Sequence, residues 1–93
     1  MTMAKIRVYF NGLFRQIAGK EEESVEVTEA TLEGLVRALE RSYGGEFIGL
    51  LRDAQKQLSP GVTTFVNGRQ FPGWQAPLAD GDEVTFLHFI SGG

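Results

Sequence analysis

Apolar and polar residues alternate along several short segments of this chain, and this period-two pattern predicts β-strands. The first segment, residues 5–10, places Ile6, Val8 and Phe10 on one face, which we expect to be buried. A second segment at residues 24–28 follows closely enough in sequence to pair with the first in antiparallel orientation.

The second half of the chain predicts three more strands. Residues 62–66 and 69–71 flank Asn67-Gly68, a pair that favours the type I′ turn of a β-hairpin. The last and most hydrophobic strand is predicted over residues 83–89. Its apolar residues lie on both faces, so either it is a central strand covered on both sides or one face covers a partner.

Between these strands the apolar residues follow a helical period. Thr31 is a good N-cap for a first helix, and Gly44-Gly45 would end it. Residues 47–58 carry a second stripe and predict a shorter or looser helix, while residues 13–17 suggest a helical turn or a loop. The stripe of the first helix comprises Leu32, Leu35, Val36, Leu39 and Tyr43.

This order of elements predicts an α+β roll in which a mixed four- to five-stranded sheet packs on one main helix plus a shorter one. The first and last strands would be central and parallel. Residues 1–93 are expected to form a single domain with a flexible C-terminal tail at 90–93. Trp74 is expected to pack over an edge of the core rather than to stack on a ligand.

Composition excludes several kinds of chemistry. The chain of 93 residues has no cysteine and only one histidine, His88. Disulfides, thiolate metal sites, a cysteine nucleophile and a multi-histidine metal site are therefore excluded. We expect no cofactor or metal to be bound by this chain.

The charge and hydropathy of the chain limit the partners and the location that we expect for it. The net charge is −3, and the acidic residues cluster at 21–23 and 80–83 without any basic stripe, so nucleic acid is not an expected partner. No apolar run approaches the roughly 20 residues of a membrane span. Residues 1–4 are too short for a signal peptide, although Met1 and Met3 are both candidate starts. The lack of cysteine is consistent with a cytoplasmic location.

The chain ends in Ser91-Gly92-Gly93. Glycine has no Cβ and therefore fits narrow channels, so a diglycine after a strand can present a carboxylate to another protein. A frayed or trimmed terminus would leave the same residues, and the tail taken alone does not decide between the two interpretations.

Residues 78–84 read Leu-Ala-Asp-Gly-Asp-Glu-Val, and the last predicted strand separates them from the C-terminal Gly92-Gly93. They belong to an ordered set of segments that also includes residues 8–15 with Gly19, 30–32 with Leu35 and Leu39, and 66–68. In this set the chain resembles the MoaD/ThiS family of ubiquitin-like sulfur-carrier proteins, which includes the small subunit of molybdopterin synthase and whose L-x-D-G-D-E-V signature residues 78–84 closely match. The resemblance implies a β-grasp (ubiquitin-like) fold.

The resemblance also implies a chemistry for the tail. A ubiquitin-activating-type enzyme would use MgATP to adenylate the Gly93 carboxylate, and a sulfurtransferase or persulfide donor would convert it to a thiocarboxylate. The chain would not be catalytic alone, and Gly92 would let the tail enter its partners' active sites. It could serve as the small subunit of molybdopterin synthase, with the large subunit as a further partner.

Exposed apolar residues near the tail are candidates for docking these partners. We name Leu87, Phe89, Ile90 and Ser91 as partner-binding residues, although Leu87 and Phe89 could instead belong to the core. His88 is expected to be a strand-edge or rim residue rather than a catalyst, because nothing near it in sequence supplies a nucleophile.

The pathway that receives the sulfur stays open at this point. Molybdopterin-type relatives usually carry proline just before the tail, where this chain has Leu87, His88 and Phe89. The second helical stripe nevertheless resembles the molybdopterin type more than compact thiamine-type carriers. Alternatives are a sulfur carrier for thiamine, cysteine or another metabolite, a protein modifier conjugated to lysines, and an interaction module without tail chemistry.

Overall fold

The computed structural model describes residues 3–89, and within them five strands form one mixed sheet. The strand order is β2-β1-β5-β3-β4. Every predicted strand is present, with bounds that differ by at most two residues; β5, for example, ends at His88 rather than at Phe89. The strands are β1 (Ala4–Phe10), β2 (Glu22–Val27), β3 (Val62–Val66), β4 (Arg69–Gln70) and β5 (Glu83–His88).

The first and last strands pair with each other in the middle of the sheet. β1 and β5 pair in parallel, with Val8 opposite Val84 and Phe10 opposite Phe86. β5 also pairs with β3 in antiparallel orientation, so it is the central strand of the five. The prediction of a central, parallel pair made by the first and last strands is confirmed.

Between residues 3 and 89, three helices cover one face of the sheet, where one main and one shorter helix were predicted. They are α1 (Leu13–Ala18), α2 (Leu32–Tyr43) and α3 (Gly45–Leu51). α1 forms where the sequence left a helical turn or a loop open. The Oγ1 of Thr31 accepts a hydrogen bond from the backbone N–H of Gly34 at 3.1 Å, which confirms Thr31 as the N-cap of α2.

The prediction of a helix across residues 47–58 is wrong in its second half, because α3 ends at Leu51. Beyond it, the Oδ1 of Asp53 accepts hydrogen bonds from the backbone N–H groups of Gln55 and Gln57 at 2.8 and 2.9 Å. An aspartate that bonds to nearby backbone amides offers them an alternative to helical pairing. Lys56 accordingly adopts a φ of 62°, which a helix does not permit.

The core lies between the sheet and the helices. The predicted inward residues Ile6, Val8 and Phe10 are all buried, as are Val84 and Phe86 of β5. Four phenylalanines form a connected aromatic cluster at the end where α1 and α3 pack on the sheet, with ring centroids 5.1 to 6.1 Å apart. Its members are Phe10, Phe14, Phe47 and Phe86. Packing of this kind fixes α1 and α3 beside the end of β5.

A buried ion pair anchors the irregular segment that follows α3. Glu33 in the first turn of α2 is 2% exposed, and its carboxylate accepts hydrogen bonds from the Arg52 guanidinium at 2.7 and 3.0 Å. The Arg52 guanidinium lies 4.7 Å from the ring centroid of Trp74, whose Nε1 donates to the Lys56 carbonyl at 2.7 Å. Trp74 therefore packs at the edge of the core, as predicted.

Among residues 3–89, no helix has the length and apolar character needed to cross a membrane. The same residues contain no group of three or more His, Cys, Asp or Glu side chains that could hold a metal ion.

Candidate functional site

The predicted reactive end of the chain falls outside the part that the structure describes. Ile90, Ser91, Gly92 and Gly93 all follow residue 89, the last described residue. The structure does place the segment from which they continue, Leu87, His88 and Phe89, which we call the tail root.

Backbone hydrogen bonds with residues next to β1 and β3 hold the tail root and the residue that precedes it. Just before it, the Phe86 carbonyl accepts a bond from the Asn11 N–H at 2.9 Å. On the other side, the Phe89 N–H donates to the Gly61 carbonyl, also at 2.9 Å. A chain that continues from Phe89 therefore starts from a fixed point at the end of the central strand.

The two predicted docking residues that can be located differ in exposure. Phe89 is 53% exposed and is one of two large apolar side chains of residues 3–89 with that degree of exposure, the other being Met3. Leu87 is half-buried and lies opposite Thr63 of β3. Neither side chain belongs to the buried core, so the alternative that both are core residues is not supported.

Leu87 belongs to a surface that was not predicted from the sequence. Side chains alternate along a strand, so Leu87 and Thr85 point away from the buried face that carries Val84 and Phe86. Strand register places Phe65 and Tyr9 on either side of Thr85. We call the half-buried residues Tyr9, Phe65, Thr85 and Leu87 the outer face of the sheet.

Polar contacts border this outer face. The Tyr9 hydroxyl donates to the Glu83 carboxylate at 3.4 Å, and Arg7 pairs with Glu22 at 3.1 Å beside it. An apolar centre bordered by polar and charged groups is typical of protein–protein interfaces. The period-two pattern already placed Tyr9 opposite the inward residues of β1, and the same pattern in β3 could have identified Phe65.

His88 is the single histidine of the chain, and residues 3–89 give its Nδ1 no catalytic partner. It is the half-buried last residue of the central strand, opposite Val62, so of the predicted strand-edge or rim positions the rim fits. Its Nδ1 is buried without a hydrogen-bond partner among the described residues. A histidine that acts as a general base needs an orienting group and a nucleophile within hydrogen-bond reach, and residues 3–89 place neither at Nδ1.

Comparisons with known proteins agree with this geometry. The ThiS family model matches residues 8–93 of the chain. The solution structure of Urm1 from Trypanosoma brucei is similar at 31% identity and a TM-score of 0.75, over 100% of this chain and 99% of that one. This likeness confirms the predicted β-grasp, ubiquitin-like fold.

Two further solved structures are similar over nearly their whole length. A putative molybdopterin converting factor, subunit 1, from Pyrococcus furiosus is 28% identical with a TM-score of 0.71, over 94% of this chain and 99% of that one. A chain of the BexX/CysO complex from Amycolatopsis orientalis is 26% identical with a TM-score of 0.72, over 95% and 99% respectively. No curated protein matches the chain.

Proposed function

The chain belongs to the ThiS family of ubiquitin-like sulfur carriers, and from this premise we propose that its Gly93 carboxylate carries sulfur as a thiocarboxylate, in molybdopterin biosynthesis. The observation that supports the proposal most is that the family match runs to residue 93 and so includes the diglycine. In sequence, that diglycine follows the central strand and the exposed Phe89.

The proposed chemistry needs activation by a partner because a carboxylate does not react with sulfur nucleophiles. An adenylating enzyme of the ubiquitin-activating type would join the Gly93 carboxylate to AMP from MgATP and release pyrophosphate. Sulfide then displaces AMP to give the thiocarboxylate. If the donor is a protein persulfide from a sulfurtransferase, a second thiol must cleave the resulting disulfide to release it.

The carrier supplies the carboxyl group and a surface for docking. We propose that the outer face of the sheet and the exposed Phe89 contact the partners, together with Ile90 and Ser91 in the tail. The outer face combines Tyr9, Phe65 and Leu87 with a polar border, and aromatic and aliphatic anchors of this kind contribute most of the binding energy in many interfaces. The BexX/CysO complex is one instance in which a structurally similar chain is seen together with a second protein.

Molybdopterin synthesis is the pathway we favour. The similar protein from Pyrococcus furiosus is described as a putative molybdopterin converting factor, subunit 1, and its match spans 94% of this chain. In this role the chain would serve as the small subunit of molybdopterin synthase and would also dock to the large subunit. We place the reaction in the cytoplasm, because adenylation consumes MgATP.

The alternative functions use the same Gly93 carboxyl group. They differ in the molecule that receives its sulfur or becomes joined to it. A carrier for thiamine, cysteine or another metabolite would pass on the same sulfur. A protein modifier would join Gly93 to lysines of other proteins, and the likeness to Urm1 from Trypanosoma brucei keeps the ubiquitin-like modifiers within the comparison.

Intact mass spectrometry tests the proposal. The full chain is incubated with the adenylating enzyme of its source organism, MgATP and sulfide, and its mass should rise by the difference between sulfur and oxygen. A chain shortened by Gly93 is the control and should not change. An unchanged mass of the full chain, under conditions in which the enzyme activates another substrate, would exclude the carrier function.

Experiments in cells identify the pathway that receives the sulfur. Deletion of the gene should abolish molybdoenzyme activity, and a chain that lacks Gly93 should fail to restore it. A requirement for thiamine or cysteine would instead indicate the metabolite alternative, and lysine-linked conjugates recovered from cells would indicate a modifier.

A further inference from the structure

Two glycines from distant parts of the chain flank the tail root. Gly12 directly follows Asn11 at the end of β1, and Gly61 directly precedes β3. Because β5 lies between β1 and β3 in the sheet, the two glycines stand on opposite sides of the end of β5.

Both glycines contact the backbone of the tail root at distances that exclude a side chain. A Cβ on Gly12 would overlap the carbonyl oxygen of His88 and lie 3.2 Å from its carbonyl carbon. A Cβ on Gly61 would lie 2.9 Å from the carbonyl oxygen of Phe89. Gly12 therefore packs closely against the His88 carbonyl group on one side of the end of β5, and Gly61 packs against the Phe89 carbonyl group on the other side.

Turn geometry alone does not account for this arrangement. Gly12 and Gly61 have φ angles of 67° and 77°, a conformation that favours glycine. Within residues 3–89, other glycines with positive φ have open space where a Cβ would stand, so their conformation alone explains the residue type. These are Gly19, Gly44, Gly68, Gly73 and Gly81.

We propose that Gly12 and Gly61 are positioning residues, which hold the backbone of His88 and Phe89 and so set the direction in which residues 90–93 continue from the domain. The inference rests on the proposed function, because direction matters only if Gly93 must enter a partner's active site. Four residues span roughly 13 Å when extended, so a change of direction of about 10° at Phe89 would move the terminal carboxylate by about 2 Å.

Positioning of the tail and docking of the domain should affect different kinetic constants. The outer-face residues Tyr9, Phe65 and Leu87 would still bind the partner when the backbone of His88 and Phe89 is misdirected, whereas fewer bound chains would place Gly93 at the reacting phosphate. Misplacement of a reacting group by about 1 Å can reduce a rate by two orders of magnitude. A defect in the glycines should therefore lower kcat and leave KM almost unchanged.

The test uses the full chain and the adenylating enzyme of its source organism, with MgATP and pyrophosphate release as the assay. Gly12→Ala and Gly61→Ala should each lower kcat by about tenfold or more, with KM within about twofold of the unsubstituted chain. Gly19→Ala is the matched control: Gly19 has a φ of 74°, and nothing lies within 4 Å of its Cβ position. It should leave both constants unchanged.

A second measurement does not depend on the partner. The Phe89 N–H donates to the Gly61 carbonyl, so hydrogen exchange at Phe89 should accelerate by about tenfold in the Gly61 variant and stay unchanged in Gly19→Ala. If Gly12→Ala does not fold, Gly61→Ala carries the test alone, since its contact at 2.9 Å can be relieved by a smaller shift.

The results separate this inference from the function on which it rests. If folded Gly12 and Gly61 variants match Gly19→Ala in kcat and in Phe89 exchange, the positioning role is refuted while the carrier function stands. If the unsubstituted chain is not adenylated at all, the proposed function fails and the positioning role fails with it. A rise in KM with constant kcat would also refute positioning, because it would assign the glycines to docking.

Discussion

The guanidinium of Arg52 binds both carboxylate oxygens of Glu33 beneath the surface, although the two residues are 19 positions apart in sequence. The side chains are only 9% and 3% exposed. This pair joins the start of α2 to the irregular segment after α3, and the ring of Trp74 packs against the Arg52 guanidinium, with its centroid 4.7 Å away. A single buried carboxylate therefore organises three separate segments of the chain.

Glu33→Gln should destabilise the domain strongly. The substitution preserves the shape of the side chain and leaves Arg52 buried without its counter-charge, a change that costs about 3 kcal/mol or more. Urea unfolding followed by circular dichroism measures the loss. Glu22→Gln is the control, because Glu22 pairs with Arg7 at 3.1 Å with both side chains 53% exposed, and loss of such a pair costs at most about 1 kcal/mol. Equal effects of the two variants would contradict the prediction.

The same pair makes stability depend on pH in the acid range. Hydrogen bonds from Arg52 lower the pKa of Glu33 to about 2 from its ordinary 4.5, against the opposing effect of burial. The unfolded chain binds a proton at Glu33 more readily, so the pair stabilises the fold above pH 4.5 and this contribution disappears as the pH falls towards 2. The full contribution of the Glu33 carboxylate, which Lys56 and Arg37 share with Arg52, is about 3 to 4 kcal/mol, because one pKa unit corresponds to about 1.4 kcal/mol.

Urea unfolding between pH 7 and pH 2.5 checks this dependence. The unsubstituted chain should lose stability steadily below pH 4.5, and Glu33→Gln should show a flatter profile because it has no carboxyl group to protonate there. Parallel profiles for the two proteins would show that other carboxylates govern acid unfolding.

The sequence predicted those elements whose signals are local. Alternation in β1 and the apolar stripe of α2 gave the sheet and the main helix, because each pattern is set by the burial of one face. The end of α3 was missed, since it depends on the Asp53 side chain and on the long-range pair of Arg52 with Glu33. The outer face of the sheet required strand register, which alternation within one strand does not supply.

Gly34→Ala should destabilise the domain even though alanine is the better helix former. A Cβ at Gly34, within α2, would overlap the backbone carbonyl oxygen of Glu29 and lie 2.8 Å from its Cβ. Relief requires movement of the backbone that leads into the helix, and we expect a cost of about 2 kcal/mol or more. Thermal unfolding followed by circular dichroism should show a lower Tm.

Gly49→Ala is the matched control and should change the stability of the domain in the opposite direction. Gly49 lies within α3, and nothing stands within 4 Å of its Cβ position. Gly49→Ala should therefore raise stability by up to about 1 kcal/mol, through helix propensity alone. If Gly34→Ala also raised the Tm, the contact with Glu29 would not limit the residue type at position 34.

Phe89→Asp should weaken binding to the adenylating enzyme without unfolding the domain. Phe89 is the last residue of the tail root and is 53% exposed, so a charged residue there removes an apolar contact and costs the fold little. We expect the Kd, measured by isothermal titration calorimetry, to rise about tenfold or more, equivalent to about 1.4 kcal/mol. Leu87→Asp should act in the same direction through the outer face, with some loss of stability because Leu87 is half-buried.

Met3→Asp is the matched control for this surface. Met3 is also 53% exposed, and it precedes β1, whose parallel pairing with β5 places it at the opposite end of the central strands from the tail root. Its substitution changes charge and apolar area in a similar way, so any general effect of a new carboxylate should appear in both variants. If the Kd of Phe89→Asp equals that of Met3→Asp while both proteins stay folded, Phe89 does not belong to the docking surface.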